Sequence, residues 1–199
     1  MKLLSYLLIA FLAVGESTDR GEWELKKSTD NIDVYIRSIK GSAIKEFKAT
    51  TIFENTSIEQ VFEQVYGAPK YKEDCTFNTS YFIEELSNPE ERYFYYSEKL
   101  PWPLKNRDVV SRLMIEEQTS DKILLSIEVA PDALNKKEQT IRIEKLAGFW
   151  LLEKHPTGIK ATQQIFMDPG GAVPSFLVNS LLVKGPLKTF STLKKTLQQ

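Results

Sequence analysis

Apolar and polar residues alternate over Ile32-Asp33-Val34-Tyr35-Ile36-Arg37, the period of a half-buried β-strand. A second run, Ile44 to Ile52, becomes rich in β-branched residues at its end. The period then changes. Ile58, Val61, Phe62 and Val65 fall on one helical face, which Thr56 or Ser57 can cap, and Ser57 with Gln60 fits a capping box. Strand-like runs follow in series. Tyr81–Leu86 and Tyr93–Lys99 are split by Ser87-Asn88-Pro89, and Val109–Glu116 and Ile123–Val129 by a polar stretch around Ser120-Asp121. Thr140–Glu144, Gly148–Lys154 and Lys160–Met167 complete the series, with His155-Pro156-Thr157-Gly158 as a turn. Strands at this spacing predict an antiparallel sheet.

After Asp168-Pro169-Gly170-Gly171 the pattern becomes helical, with Pro174 suited to a first helical position. At 3.6 residues per turn, Phe176, Val183, Leu187, Phe190 and Leu197 share one stripe, while Lys184, Lys188 and Lys195 lie on another. Pro186 is expected to kink this helix, because it removes the bond to the carbonyl of Leu182. Phe176–Val183 is apolar on most faces and needs cover on more than one side. The expected architecture is α+β: a curved antiparallel sheet wrapped around a long C-terminal helix, enclosing a hydrophobic cavity.

The first residues read as a targeting segment. Lys2 precedes an apolar run from Leu3 to Val14, and Ala13 and Gly15 are small residues placed for cleavage after Gly15. The run is shorter than the roughly 20 residues that span a bilayer. Residues 1–15 are therefore expected to be a signal peptide and 16–199 one domain, exported to the periplasm or secreted. Export makes Cys75, flanked by Glu73 and Asp74, a structural thiol rather than a reactive one. Asn55-Thr56-Ser57 and Asn78-Thr79-Ser80 match the glycosylation pattern, which matters only in a eukaryotic host.

Composition removes further classes. The chain has 199 residues, 26 Lys+Arg against 27 Asp+Glu, one His and one Cys. A net charge of −1 argues against nucleic acid as a partner. One Cys excludes a disulfide framework within the chain, and one His excludes the usual multi-His metal sites. No Ser nucleophile elbow or phosphate-binding glycine loop is present, and no cofactor is expected.

Three segments together resemble the steroidogenic-acute-regulatory-related lipid transfer family, the START domains. Leu100-Pro101-Trp102-Pro103-Leu104-Lys105-Asn106-Arg107-Asp108-Val109-Val110 is similar to the family's aromatic-Pro element followed by Asn-Arg-Asp and apolar strand residues. Asp168-Pro169-Gly170-Gly171-Ala172-Val173-Pro174-Ser175-Phe176 resembles the turn that enters the family's C-terminal helix, nearest to the phosphatidylcholine-transfer branch. Gly148-Phe149-Trp150-Leu151-Leu152 is similar to a Gly-x-Trp strand. The resemblance covers roughly Trp23 to Leu197. It implies a helix-grip fold whose tunnel holds one lipid.

Candidate ligand-binding residues follow from alternation along the strands. Phe94, Tyr96 and Glu98 share one face, as do Val109, Ser111 and Leu113, and both sets are expected to line the cavity. In some sterol-binding members an acid matching Glu98 pairs with an Arg, whose position here is Leu113, while Arg112 points to the opposite face. That departure argues against sterol-type recognition. Arg107 has two readings: it pairs with a carboxylate and pins its loop while Asp108 accepts backbone N–H bonds, or it reaches a phosphate head group. Trp150, Gln164 and Phe166 are further candidates, with Gln163 inward instead if the strand faces are reversed. Trp102, Tyr93, Tyr95 and Tyr96 are either packing aromatics or a cage for a quaternary ammonium. On the terminal helix, Phe176, Val183 and Leu187 complete the set.

The reading is a monomeric protein that binds, and in one version transfers, a lipid or other hydrophobic small molecule without catalysis, touching membrane transiently through its terminal helix. The alternatives are an enzyme on the same scaffold, cyclase- or hydrolase-like with Glu98 as its acid, and a protein-interaction domain.

Overall fold

The computed structural model describes residues 20–67, 79–100 and 102–198. The signal-peptide expectation over residues 1–15, Cys75 and Asn78 lie outside the described residues.

Among the described residues, ten strands form one sheet. In chain order they are β1 (Glu24–Thr29), β2 (Ile32–Arg37), β3 (Glu46–Glu54), β4 (Thr79–Phe82), β5 (Glu91–Glu98), β6 (Asn106–Gln118), β7 (Lys122–Val129), β8 (Thr140–Arg142), β9 (Lys145–His155) and β10 (Gly158–Asp168). The spatial order is β1-β2-β3-β10-β9-β7-β6-β5-β4, antiparallel throughout, with β8 pairing parallel to the start of β6. Two α-helices accompany the sheet among the described residues: α1 (Ile58–Phe62), continued by a π-helical turn at Glu63–Gly67, and α2 (Ser175–Leu197).

Local chemistry explains the boundaries. Ser57 Oγ accepts from the Gln60 N–H while the Gln60 side chain accepts from the Ser57 N–H, so the predicted capping box opens α1. Asp30 and Asn31 both adopt left-handed φ (50° and 57°) and close the two-residue β1–β2 hairpin, a turn these residue types tolerate. At Gly148 a Cβ would lie 2.2 Å from the Gln164 carbonyl oxygen, so β9 and β10 approach there only because the side chain is absent.

One strand goes unpredicted and one expectation shifts. β1 carries no alternating apolar pattern; all but Thr29 is exposed, as suits an edge strand. The run Tyr81–Leu86 is a strand only to Phe82, and Glu84–Leu86 is a 3₁₀ turn, with Ser87 Oγ donating to the Ile83 carbonyl at 2.8 Å. The helix remains continuous through Pro186, which is buried.

One face of the sheet carries the core. Ile32, Val34, Ala49, Leu125, Leu152 and Ala161 are fully buried on it. There α2 packs on β2 and β3, and α1 packs on β7, β9 and β10. Phe190 of α2 stacks 6.3 Å from Phe53 and lies 5.2 Å from Trp150. Each such aromatic contributes about 1.5–3 kcal/mol by leaving water. On the opposite face of β5 and β6, Tyr95, Val110 and Ile83 form a second small core with Ala133 and Leu134. A buried ion pair secures that loop. Arg142 holds both Asp108 carboxylate oxygens (2.9 and 3.0 Å) and also donates to the carbonyls of Pro131, Leu134 and Asn135.

Candidate functional site

Alternation along β5 and β6 puts one set of side chains on the concave face. Phe94 faces Ser111 across the ladder, Tyr96 faces Val109, and Glu98 faces Arg107. Phe94 and Tyr96 pack against the main core yet stay partly exposed, although they point inward. Phe94 contacts Phe82 at 5.2 Å and Tyr96 at 6.2 Å between ring centres. Leu113 and Val109 are buried beneath them. Ser111 donates weakly to the Phe94 carbonyl at 3.4 Å. The two predicted sets therefore share one wall.

This wall curves to meet β10. The Tyr96 hydroxyl donates to the sulfur of Met167. Burial, reinforced by the Glu98 charge, pushes the Tyr96 phenol well above its ordinary range. Ile165 and Met167 are the half-buried inner residues at that end of β10.

Two charged groups stand on the same wall. Glu98 is half-buried and has no ion pair or hydrogen bond among the described residues. Burial raises its carboxyl above the usual range. Arg107 is 5 % exposed. It donates to the Lys105 carbonyl and, at 3.2 Å, to the Gly170 carbonyl, while its Nε has no partner. Burial lowers its pKa. Arg107 thus ties the β5–β6 connection to the loop that enters α2. It does so through carbonyls rather than the expected carboxylate, and Asp108 accepts from Arg142 instead of backbone N–H groups. Gly170 and Gly171 beside it take φ of 65° and 63°, and a Cβ on Gly171 would lie 3.4 Å from Arg107 Nη2.

Other candidates divide. Trp150 is buried on the inner face under Phe190. Gln164 and Phe166 face outward, correcting their placement in the cavity: Gln164 Nε2 donates to the buried Glu46 at 2.8 Å, and Phe166 lies opposite Glu46 in the register. The inner residue is Gln163, paired across the ladder with Trp150. The signal was the odd-numbered row Ile159, Ala161, Ile165 and Met167, which fixes the phase that the local Thr-Gln-Gln does not. On α2 the buried row is Val178, Leu182, Pro186, Phe190 and Leu193. Val183 and Leu187 flank it, partly buried against the core. Phe176 is 75 % exposed, a second correction. Two residues before Val178, it lies about 200° around the helix from the row. The four cage aromatics do not converge: Tyr93 and Tyr95 belong to the outer core, Tyr96 faces inward, and Trp102 is 93 % exposed on the β5–β6 connection. The residues missed from the sequence are Met167 and Ile165, hidden in a strand whose facing was ambiguous.

The START domain family model matches residues 13–199. An uncharacterized protein of Pseudomonas aeruginosa is 28 % identical over 98 % of this chain and 96 % of its own. The human phosphatidylcholine transfer protein is 25 % identical over 79 % of this chain and 75 % of its own. A crystal structure of a STAR-related lipid transfer protein from Xanthomonas axonopodis superposes with a TM-score of 0.78 at 29 % identity, covering 89 % of this chain and 99 % of that one. The human StAR-related lipid transfer protein 5 does so with a TM-score of 0.73 at 15 % identity, covering 89 % and 86 %. The sheet grips its terminal helix as in these structures, and the helix-grip expectation holds.

Proposed function

Because this chain belongs to the START domain family, we propose that it is a non-catalytic carrier that takes one lipid between the β5–β6 wall and α2. The observation that carries the reading is the wall itself. Phe94 and Tyr96 face inward but stay partly exposed, while comparable positions on β2, β7 and β9 are sealed. Acyl surface covering them gains about 25 cal/mol per Å² before ordering costs. The lipid transfer relatives support a carrier over an enzyme.

Membrane contact would use two exposed apolar tips. Trp102 is 93 % exposed, and Phe176 and Leu181 of α2 are 75 % and 39 % exposed. The elements bearing them are joined through Arg107, which donates to Lys105 and Gly170 at their respective ends. Tryptophan suits the bilayer interface, where its ring is buried and its N–H stays wet. Export after removal of residues 1–15 and a monomeric state complete the proposal.

Native mass spectrometry of the mature protein, followed by organic extraction, tests it. The expected result is a one-to-one lipid adduct, either co-purified or acquired from offered vesicles. A protein that stays apo with every lipid class offered overturns the carrier reading.

A further inference from the structure

Glu98 and Arg107 are directly opposite on β5 and β6, so their Cβ atoms lie about 4.5–5.5 Å apart on one face. Opposite charges so placed ordinarily pair. These two do not: no ion pair joins them, although Arg107 is 5 % exposed and Glu98 is half-buried. Arg107 is drawn instead toward the carbonyls of Lys105 and Gly170, leaving its Nε without a partner. Each charge carries a desolvation cost that the other does not offset.

Resting on the carrier reading, we propose that Glu98 and Arg107 are the two poles of a subsite for a zwitterionic phospholipid head group bearing a primary ammonium. Glu98 takes the ammonium and Arg107 the phosphate. A ligand that brings both charges at once satisfies both groups. The guanidinium edge suits phosphate oxygens, and a carboxylate suits N–H donors, which make charge-assisted bonds roughly twice as strong as neutral ones. A quaternary ammonium offers no N–H and is held by aromatic faces. Of the four cage candidates only Tyr96 faces this wall, where it contacts Phe94: Tyr93 and Tyr95 lie on the outer face and Trp102 stands in solvent. Glu98 thereby becomes the residue that sets head-group specificity.

The test incubates the mature protein with vesicles containing equal amounts of dioleoylphosphatidylethanolamine and dioleoylphosphatidylcholine, then extracts and quantifies the lipid bound to the re-isolated protein. The expected result is enrichment of the amine-headed lipid by about tenfold, falling to the vesicle ratio in a cooperatively unfolding Glu98→Gln variant. Mono- and dimethylated ethanolamine head groups, offered to the wild-type protein, should fall in steps between the two. This series needs no variant. Wild-type protein that loads both lipids at the vesicle ratio, or a variant that keeps the preference, overturns the head-group assignment and leaves the carrier reading standing. Wild-type protein that loads neither lipid overturns both.

Discussion

Two walls of the same sheet are treated differently by the chain. Over β2, β3, β7, β9 and residues 159–163 of β10 the inner residues are sealed: Ile32, Val34, Ala49, Leu125, Leu152 and Ala161 have no exposure, and α1 and α2 pack directly on these strands. Over β5 the inner row runs Phe94, Tyr96, Glu98, partly exposed and ending in a carboxylate with no ion pair or hydrogen bond among the described residues. The apolar character of the two walls is similar, so hydrophobicity alone does not separate them. Cover does. The helices fasten to one wall, which leaves the other as the surface on which a ligand can gain burial energy that the fold has not already used.

The sharpest way to break the comparison is to damage the sealed wall. Phe190 is fully buried between Phe53 and Trp150. Phe190→Ala should cost about 3–5 kcal/mol, read by urea unfolding. A loss under 1 kcal/mol, by the same scale, would mean that α2 is not seated as described. Crowding the other wall is gentler on the fold. Leu113 is buried on that wall and belongs to the main core. Leu113→Trp should cost the roughly 1–3 kcal/mol of overpacking, while lipid uptake from vesicles drops sharply. Equal uptake by this variant would place the ligand elsewhere.

Glu98 sharpens the contrast through pH. Its carboxyl is raised by burial, so its contribution favours the folded state at low pH and is lost as pH rises through that raised value. Glu98→Gln is neutral throughout. The variant should melt above the wild type at neutral pH, with the gap closing as pH falls through the range where Glu98 protonates. Tyr96 and Arg107 are the titratable groups sharing its face among the described residues, and neither changes charge in that window. The smallest effect on stability belongs to Trp102→Ala. At 93 % exposure the change should stay within about 0.5 kcal/mol, yet slow transfer between vesicles.

The sealed wall was legible in the sequence because it is built from strict alternation. Ile32 to Arg37 reads directly as a strand, and Ser57 with Gln60 reads directly as a helix start. The β5–β6 pairing was also legible, since Phe94, Tyr96, Glu98 and Val109, Ser111, Leu113 each keep one parity. Four features were not. β1 is an exposed edge strand, so burial leaves no period in Leu25-Lys26-Lys27. The facing of β10 was hidden because both Gln163 and Gln164 end up buried or half-buried, one against Trp150 and the other against Glu46. On α2, near-continuous apolar sequence supports several stripes. The sheet selects the row through Val178, Leu182 and Phe190, and Phe176 is left in solvent. The partners of Arg107 are backbone carbonyls brought together by the fold, which no residue pattern encodes.

The most direct test of the two-wall account is photo-crosslinking with a phospholipid carrying a diazirine on one acyl chain, followed by peptide mapping. The account predicts labelling on β5, β6 and the Ile165–Met167 end of β10. Labelling confined to β2, β3 and the Phe190 region of α2 would contradict it.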